Sequence, residues 1–188
     1  MKKHIITISG NIASGKSEVA KKLSEILEFE VYKASDEFRR LAREQNMSLV
    51  EFNKYIESKP EVDKYVDTRT REYVSDKDNM VVDARLGFYL IPGAYKVFLK
   101  ANLEKTSERL FLVSKERGEE ETYLTLEETT KAIQDREKAE RSRYITQYGV
   151  DILDMQNYDL VIDTSETTSE EVAMLIKEGF NKWINLED

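Results

Sequence analysis

Short apolar runs separated by helix-length stretches set the plan of this chain. Ile5 to Ser9, Met80 to Asp83, Val97 to Leu99 and Leu160 to Ile162 are bounded by polar residues or Gly, and Phe29 to Tyr32 forms a weaker fifth run. Runs of this kind are the pattern of strands buried on both faces of a parallel sheet, with helices as crossovers. One helix is expected from Gly15 to about Leu27, with Val19, Leu23, Ile26 and Leu27 turned inward. Ser48–Glu51, Thr125–Glu128 and Thr168–Glu171 each have the capping-box spacing, in which the N-cap and N3 side chains satisfy each other's backbone donors. The intervals between strands are uneven. Residues 33–79 exceed what one crossover helix requires, and they read as helical over Asp36 to Glu44, Ser48 to Ser58 and Pro60 to about Ser75, with Pro60 suited to a first turn. A second excess, between Leu99 and Leu160, holds the charged stretch Lys115 to Glu121 and a long helix after Thr125. The pattern predicts an α/β core carrying a helical insertion and a charged flap.

Composition removes several kinds of chemistry. The 188 residues suit one compact domain with a real core and no need of staples. With no Cys there is no disulfide framework, no thiolate nucleophile and no Cys-ligated metal. A single His, His4 at the start of the first run, argues against a His-rich metal centre or a Ser-His-Asp hydrolase and reads as an ordinary strand-end residue. The formal net charge of −8, from 29 Lys and Arg against 37 Asp and Glu, argues against general nucleic-acid binding. No apolar run approaches the roughly 20 residues of a membrane span, and the short N-terminal run does not resemble a signal peptide. The expectation is a cytoplasmic protein, a monomer, without membrane or nucleic-acid partners. The Tyr and Phe residues fall at core-like spacing, and Trp183 is expected to anchor the last helix by packing.

Gly10, Asn11, Ile12, Ala13, Ser14, Gly15, Lys16 and Ser17 match G-x-x-x-x-G-K-[ST], after a strand and at the opening of a helix, as that motif requires. The glycines let the backbone wrap closely so that N–H groups converge on phosphate oxygens at the positive helix end. Lys16 supplies a point charge to the transferring phosphates and the Ser17 hydroxyl a ligand for Mg²⁺. Asp83 ends the run Met80 to Asp83, either as a carboxylate on the metal side or as a cap of the following turn. A nucleoside triphosphate site is the firmest reading of these residues.

Arginine is concentrated where such a site needs it. Arg39 and Arg40 open the helical insertion, Arg69 and Arg71 lie near its end, and Arg85 follows the run that ends at Asp83. On the long helix, Arg136, Glu140 and Arg143 are spaced by four and three and fall on one face, which would place two guanidiniums around one carboxylate. On a helix alone this could be a solvated ion-pair face. Behind a phosphate loop it suits phosphoryl transfer between two anions, which needs cations on donor, moving group and acceptor together.

In Ile8 to Ser17, Asp36 to Arg39, Met47 to Phe52, Val81 to Gly87, Asp135-Arg136 through Arg143-Tyr144, Tyr148 to Asp151 and Tyr158 to Ser165, the chain resembles the cytidylate kinases, most closely the short archaeal-type branch of that nucleoside monophosphate kinase family. The resemblance runs from about Ile6 to Ile176. It implies a P-loop NTPase fold with a five-stranded parallel sheet flanked by helices, in a single kinase domain. The core would comprise residues 1–34, 77–112 and 126–188, with a monophosphate-binding insertion at about 35–76 and a lid at about 113–125. It also implies the reaction of ATP with CMP or dCMP to give ADP and CDP or dCDP, with Mg²⁺. By position, Arg39, Arg85 and Arg136 match acceptor-phosphate arginines, and Glu140 and Arg143 match residues reaching the acceptor's sugar and base. Asp63 falls at a base-contacting position. Arg109 matches an arginine over the adenine of ATP, beside the loop Asp163 to Ser165. Arg117 is the expected lid arginine, with Lys115 as a lesser candidate.

The chain departs from the family pattern in three places. Glu18 stands where a second Thr is usual, Ala84 replaces a Gly before Arg85, and the lid holds the acidic run Glu119 to Glu121. Two alternatives stay open. One is a P-loop kinase for another small acceptor, where a hydroxyl acceptor would call on Asp36 or Asp83 as base. The other is a nucleotide-binding protein that has lost transfer.

Overall fold

The computed structural model describes residues 3–117 and 123–185, except the side chains of 115–117. Five parallel strands form one sheet in the order β2-β3-β1-β4-β5. They are β1 (Ile5–Gly10), β2 (Glu30–Lys33), β3 (Met80–Asp83), β4 (Tyr95–Lys100) and β5 (Leu160–Asp163). The helices are α1 (Lys16–Leu27), α2 (Ala34–Glu44), α3 (Leu49–Ile56), α4 (Pro60–Val74), α5 (Gly87–Leu90), α6 (Leu103–Arg117), α7 (Leu126–Tyr148) and α8 (Ser169–Ile184). The predicted α/β class and five parallel strands are therefore what the chain adopts.

Period-two alternation in β1 divides the core. Ile6 and Ile8 face α1 and α8, where they pack with Val19, Leu23, Val81, Val97, Leu99, Val172, Ile176 and Phe180. Ile5 belongs to the opposite layer, with Val74, Met80, Val82 and Ala94. Both faces of the central strands are covered, which is why they read as continuous apolar runs rather than as alternation. Trp183 packs on Tyr95 and Phe180, with ring centroids 5.5 and 6.0 Å away, as its anchoring reading anticipated. His4 sits at the strand end with its Nδ1 3.2 Å from Asp78 Oδ2.

The helical insertion forms as expected, as α2, α3 and α4 between β2 and β3. The capping boxes at Ser48/Glu51 and Thr168/Glu171 close in both directions. The third is only half made. Thr125 accepts from the Glu128 N–H, but the Glu128 carboxylate takes the N–H of Leu124 at 2.9 Å instead. The pattern also missed α5, a single turn, and α6. β4 begins at Tyr95, earlier than the apolar run, because Lys96 interrupts the run while Tyr95 is buried and paired with Ile6.

Strand order places the site. β1 is central, with β3 on one side and β4 on the other, so the carboxyl end of β1 lies where the crossovers diverge to opposite sides. Open parallel sheets bind ligands at that switch point. The phosphate loop leaves β1 there, and Asp83 sits beside Ile8 in register at the end of β3.

Ile176 is fully buried between α8, α1 and the sheet. Ile176→Ala is expected to cost about 2–5 kcal/mol of stability. The check is the urea midpoint, which should fall with the slope of the transition unchanged.

Candidate active site

Gly10 leaves the strand against β4 so closely that a Cβ there would lie 2.3 Å from the Leu99 carbonyl oxygen. Gly15 takes φ 89° as the N-cap of α1, a left-handed conformation that a side chain disfavours. Between them the loop turns back on itself, and Lys16 Nζ donates to the carbonyls of Gly10 (3.1 Å) and Asn11 (2.6 Å). Burial and the neighbouring Arg85 push the Lys16 amine down to about 7, against the opposing pull of Asp83 and Glu140. Ser17 Oγ donates to Asp83 Oδ2 at 2.7 Å. This hydroxyl and carboxylate form a hard-oxygen pair that fits Mg²⁺, an ion that usually takes one or two carboxylates together with substrate phosphates and water. Among the described residues, no group of three or more His, Cys, Asp or Glu could hold a metal by itself. Glu18 is exposed on the first turn of α1, and its charge acts on Lys22 one turn along. The carboxylate therefore faces solvent, where it complements the helix dipole.

The arginine cluster differs in one respect from the helical-wheel expectation. Glu140, only 5% exposed, does gather two guanidiniums, but the second is Arg85 rather than Arg143. Arg136 Nε donates to Glu140 Oε1 at 2.9 Å, and Arg85 Nε lies 2.8 Å from Oε2. Burial raises the Glu140 carboxyl, but Arg85 and Arg136 outweigh it and leave the group below its ordinary range. Arg85 also donates to the Gly10 carbonyl at 3.2 Å, which ties the cluster to the phosphate loop.

Arg143 turns the other way, into the insertion, where its Nε donates to Asp63 Oδ2 at 2.9 Å. Asp63 is 1% exposed on α4, and its other oxygen, Oδ1, is buried without a hydrogen-bond partner among the described residues. Burial raises the Asp63 carboxyl above its usual range despite Arg143. One turn further along α4, Asp67 accepts from the Tyr148 hydroxyl, and burial pushes its carboxyl up to about 6. Gln147 Nε2 donates to the Pro60 carbonyl at 3.2 Å. The end of α7 is thus bonded along one side of α4.

Arg39 is directed along its own helix, donating to Ser35 Oγ (3.1 Å) and Asp36 Oδ1 (3.2 Å). Of the two base candidates for a hydroxyl acceptor, Asp83 accepts from Ser17, while Asp36 is exposed and pairs with Arg39 on its own helix. Arg109 reaches the loop predicted beside it, with Nη2 donating to the carbonyls of Thr164 (2.6 Å) and Ser165 (3.3 Å). Thr164 in turn donates to the Ser14 carbonyl at 2.9 Å. The Arg117 and Lys115 side chains and the acidic run Glu119 to Glu121 lie outside the described residues.

Sequence reading passed over Glu137. Its Oε1 accepts from Asn11 Nδ2 and from the backbone N–H of Ile12, both at 3.1 Å. Glu137 follows Arg136 directly and precedes Glu140 by three, so the wheel that paired Arg136 with Glu140 places it on the same side of α7.

The depressed Lys16 amine gives a test with a definite sign. Near pH 8 the free side chain is mostly neutral, whereas a bound triphosphate holds it charged. ATP is itself fully ionised there, its last phosphate proton leaving near pH 6. Binding is therefore expected to take up roughly one proton at pH 8, and affinity should fall from pH 7 to pH 9. Calorimetric titration in two buffers of different ionisation enthalpy measures the uptake. Lys16→Met should abolish it, and a pH-independent affinity would contradict the assignment.

Residues 5–166 match the cytidylate kinase-like family. The cytidylate kinase of Thermoplasma volcanium is 37% identical over 175 residues, covering 91% of this chain and 88% of that protein. An S-adenosylmethionine-dependent nucleotide dehydratase of Lacinutrix mariniflava is 40% identical over 178 residues, covering 94% of this chain. The chain spans only 36% of that protein's length. Among solved structures, shikimate kinase from Acinetobacter baumannii in complex with shikimate superposes with a TM-score of 0.63 at 15% identity, over 98% of this chain and 96% of that one. That likeness is one of fold. The match over residues 5–166 and the 37% identity to the Thermoplasma volcanium protein place the chain in the cytidylate kinase-like family.

Proposed function

We propose that the protein transfers the γ-phosphoryl group of ATP to CMP or dCMP, giving ADP and CDP or dCDP. The observation that carries this reading is the pair Arg85 and Arg136 held on the buried Glu140 and tied through Arg85 to the phosphate loop. Two guanidiniums beside a P-loop serve an acceptor that is itself a phosphate. Membership of the family points the same way, and the relative in Thermoplasma volcanium bears the name cytidylate kinase.

In this reading the loop from Gly10 to Ser17 holds the donor phosphates, and Lys16 follows the moving group. Arg109, fixed by the carbonyls of Thr164 and Ser165, lies against the adenine. Arg85 and Arg136 exchange part of their pairing with Glu140 for the acceptor phosphate, and Arg39 joins them from α2. Arg143 and Glu140 face the acceptor's sugar and base. Asp63, with Oδ1 unpaired, takes a base amino group. Mg²⁺, held by Ser17 and on the side of Asp83, would neutralise charge between the phosphates. An acceptor phosphate oxygen attacks the γ-phosphorus in line while the bond to the bridging oxygen breaks and its electron pair leaves with ADP. The attacking oxygen is already anionic, so no general base is needed. The protein contributes alignment, charge neutralisation and exclusion of water. The insertion at about 35–76 closes over the acceptor; the lid expected at about 113–125, with Arg117, falls largely outside the described residues.

ADP formation from ATP and Mg²⁺ against CMP, dCMP, UMP, AMP, GMP and water alone tests the reading. Strong stimulation by CMP or dCMP is expected, and stimulation by none of the monophosphates would refute it. Arg136→Ala should lower kcat/KM for CMP by about 10- to 100-fold, the loss of a charge-assisted partner on the acceptor phosphate. An unchanged value would remove Arg136 from that role.

A further inference from the structure

We infer that Glu137 is a positioning residue that sets α7 in register with the phosphate loop, with Asn11 as its counterpart in the loop. The inference rests on the kinase reading above and adds to it a residue to which that reading gives no substrate contact. A single carboxylate oxygen of Glu137 takes two donors from adjacent loop residues, Asn11 Nδ2 and the Ile12 N–H. The Asn11 side chain is anchored at its other end, where Oδ1 accepts from the Ala101 N–H at 3.2 Å, and its own N–H donates to Leu99 O. Asn11 thereby presents α7 with donors fixed to the end of β4.

A second attachment comes one turn later on the same helix, through Glu140 and Arg85 to the Gly10 carbonyl. One attachment leaves a helix free to pivot about it; two, a turn apart, define its rotation and its height. Arg136 directly precedes the first attachment and is itself bonded to Glu140 at the second. Its distance from the phosphate loop is then set by the protein before either substrate arrives.

Electrostatics supports the same conclusion. A carboxylate beside a loop built for a triphosphate repels the ligand. That cost is offset only where the position of the carboxylate is itself required. The two roles of Glu137 therefore separate in kinetics. Glu137→Ala relieves the repulsion, so ATP affinity should hold or improve. The loosened helix misplaces Arg136, and kcat should fall by about 10- to 100-fold, since small misalignments of reacting groups cost that much. Glu137→Gln keeps an oxygen for both donors and should recover most of the rate. The losses in kcat from Asn11→Ala and Glu137→Ala should combine to less than their sum, because both variants remove the Asn11–Glu137 bond.

The experiment measures kcat with CMP, ATP affinity by direct titration and the Ile12 amide resonance in wild type and these variants. The expected result is a kcat loss in Glu137→Ala without weaker ATP binding, rescued by Gln, with Ile12 amide protection lost in the Ala variant and kept in the Gln variant. A kcat within twofold of wild type in Glu137→Ala, a loss confined to ATP affinity, or a Gln variant no better than Ala overturns the inference. An inactive wild type would refute the kinase reading instead. In that case the Ile12 amide still decides, and protection unchanged in Glu137→Ala would overturn the link.

Discussion

A carboxylate buried as deeply as Glu140 must be neutralised where it stands, and the site is organised around that constraint. The neutralising groups come from two separate parts of the chain, Arg136 from its own helix and Arg85 from the turn after β3. Because Arg85 also bonds the Gly10 carbonyl, neutralising Glu140 draws the sheet edge, the phosphate loop and α7 together. Replacing one partner of such a cluster leaves a buried charge uncompensated, which makes the arrangement specific even where it adds little net stability.

The same cluster explains the state of Lys16. Arg85 and burial press on its ammonium, and the nearby carboxylates only partly offset them. Lys16 donates to the loop carbonyls within its reach, those of Gly10 and Asn11. Charge arranged in advance of the ligand costs stability in the free protein and removes the need to reorganise during transfer.

α7 is the element on which the phosphate loop and the helical insertion converge. Its middle faces the phosphate loop and Arg85, while its end is bonded to α4 through Arg143 to Asp63, Tyr148 to Asp67 and Gln147 to the Pro60 carbonyl. Movement of the insertion against the core must therefore pass through, or break, contacts to this helix. The buried Asp63 and Asp67, both raised by burial, lie one turn apart on α4 at that contact.

The sequence by itself determined whatever is closed within a few residues. Strand runs, two capping boxes, the phosphate loop and the Arg136–Glu140 pair were legible because their hydrogen bonds and faces depend on short spacings. Tertiary structure decided the rest. In Asp135 to Arg143 seven of nine residues are charged, and spacing cannot say which of them turns inward. Arg143 found Asp63, 80 residues away, and Glu137 found Ile12, 125 residues away. Arg85 took the place on Glu140 that the helical wheel had given to Arg143. Ion pairs are long-range and unselective, so their partners are fixed only when strand order and helix packing bring particular charges within reach.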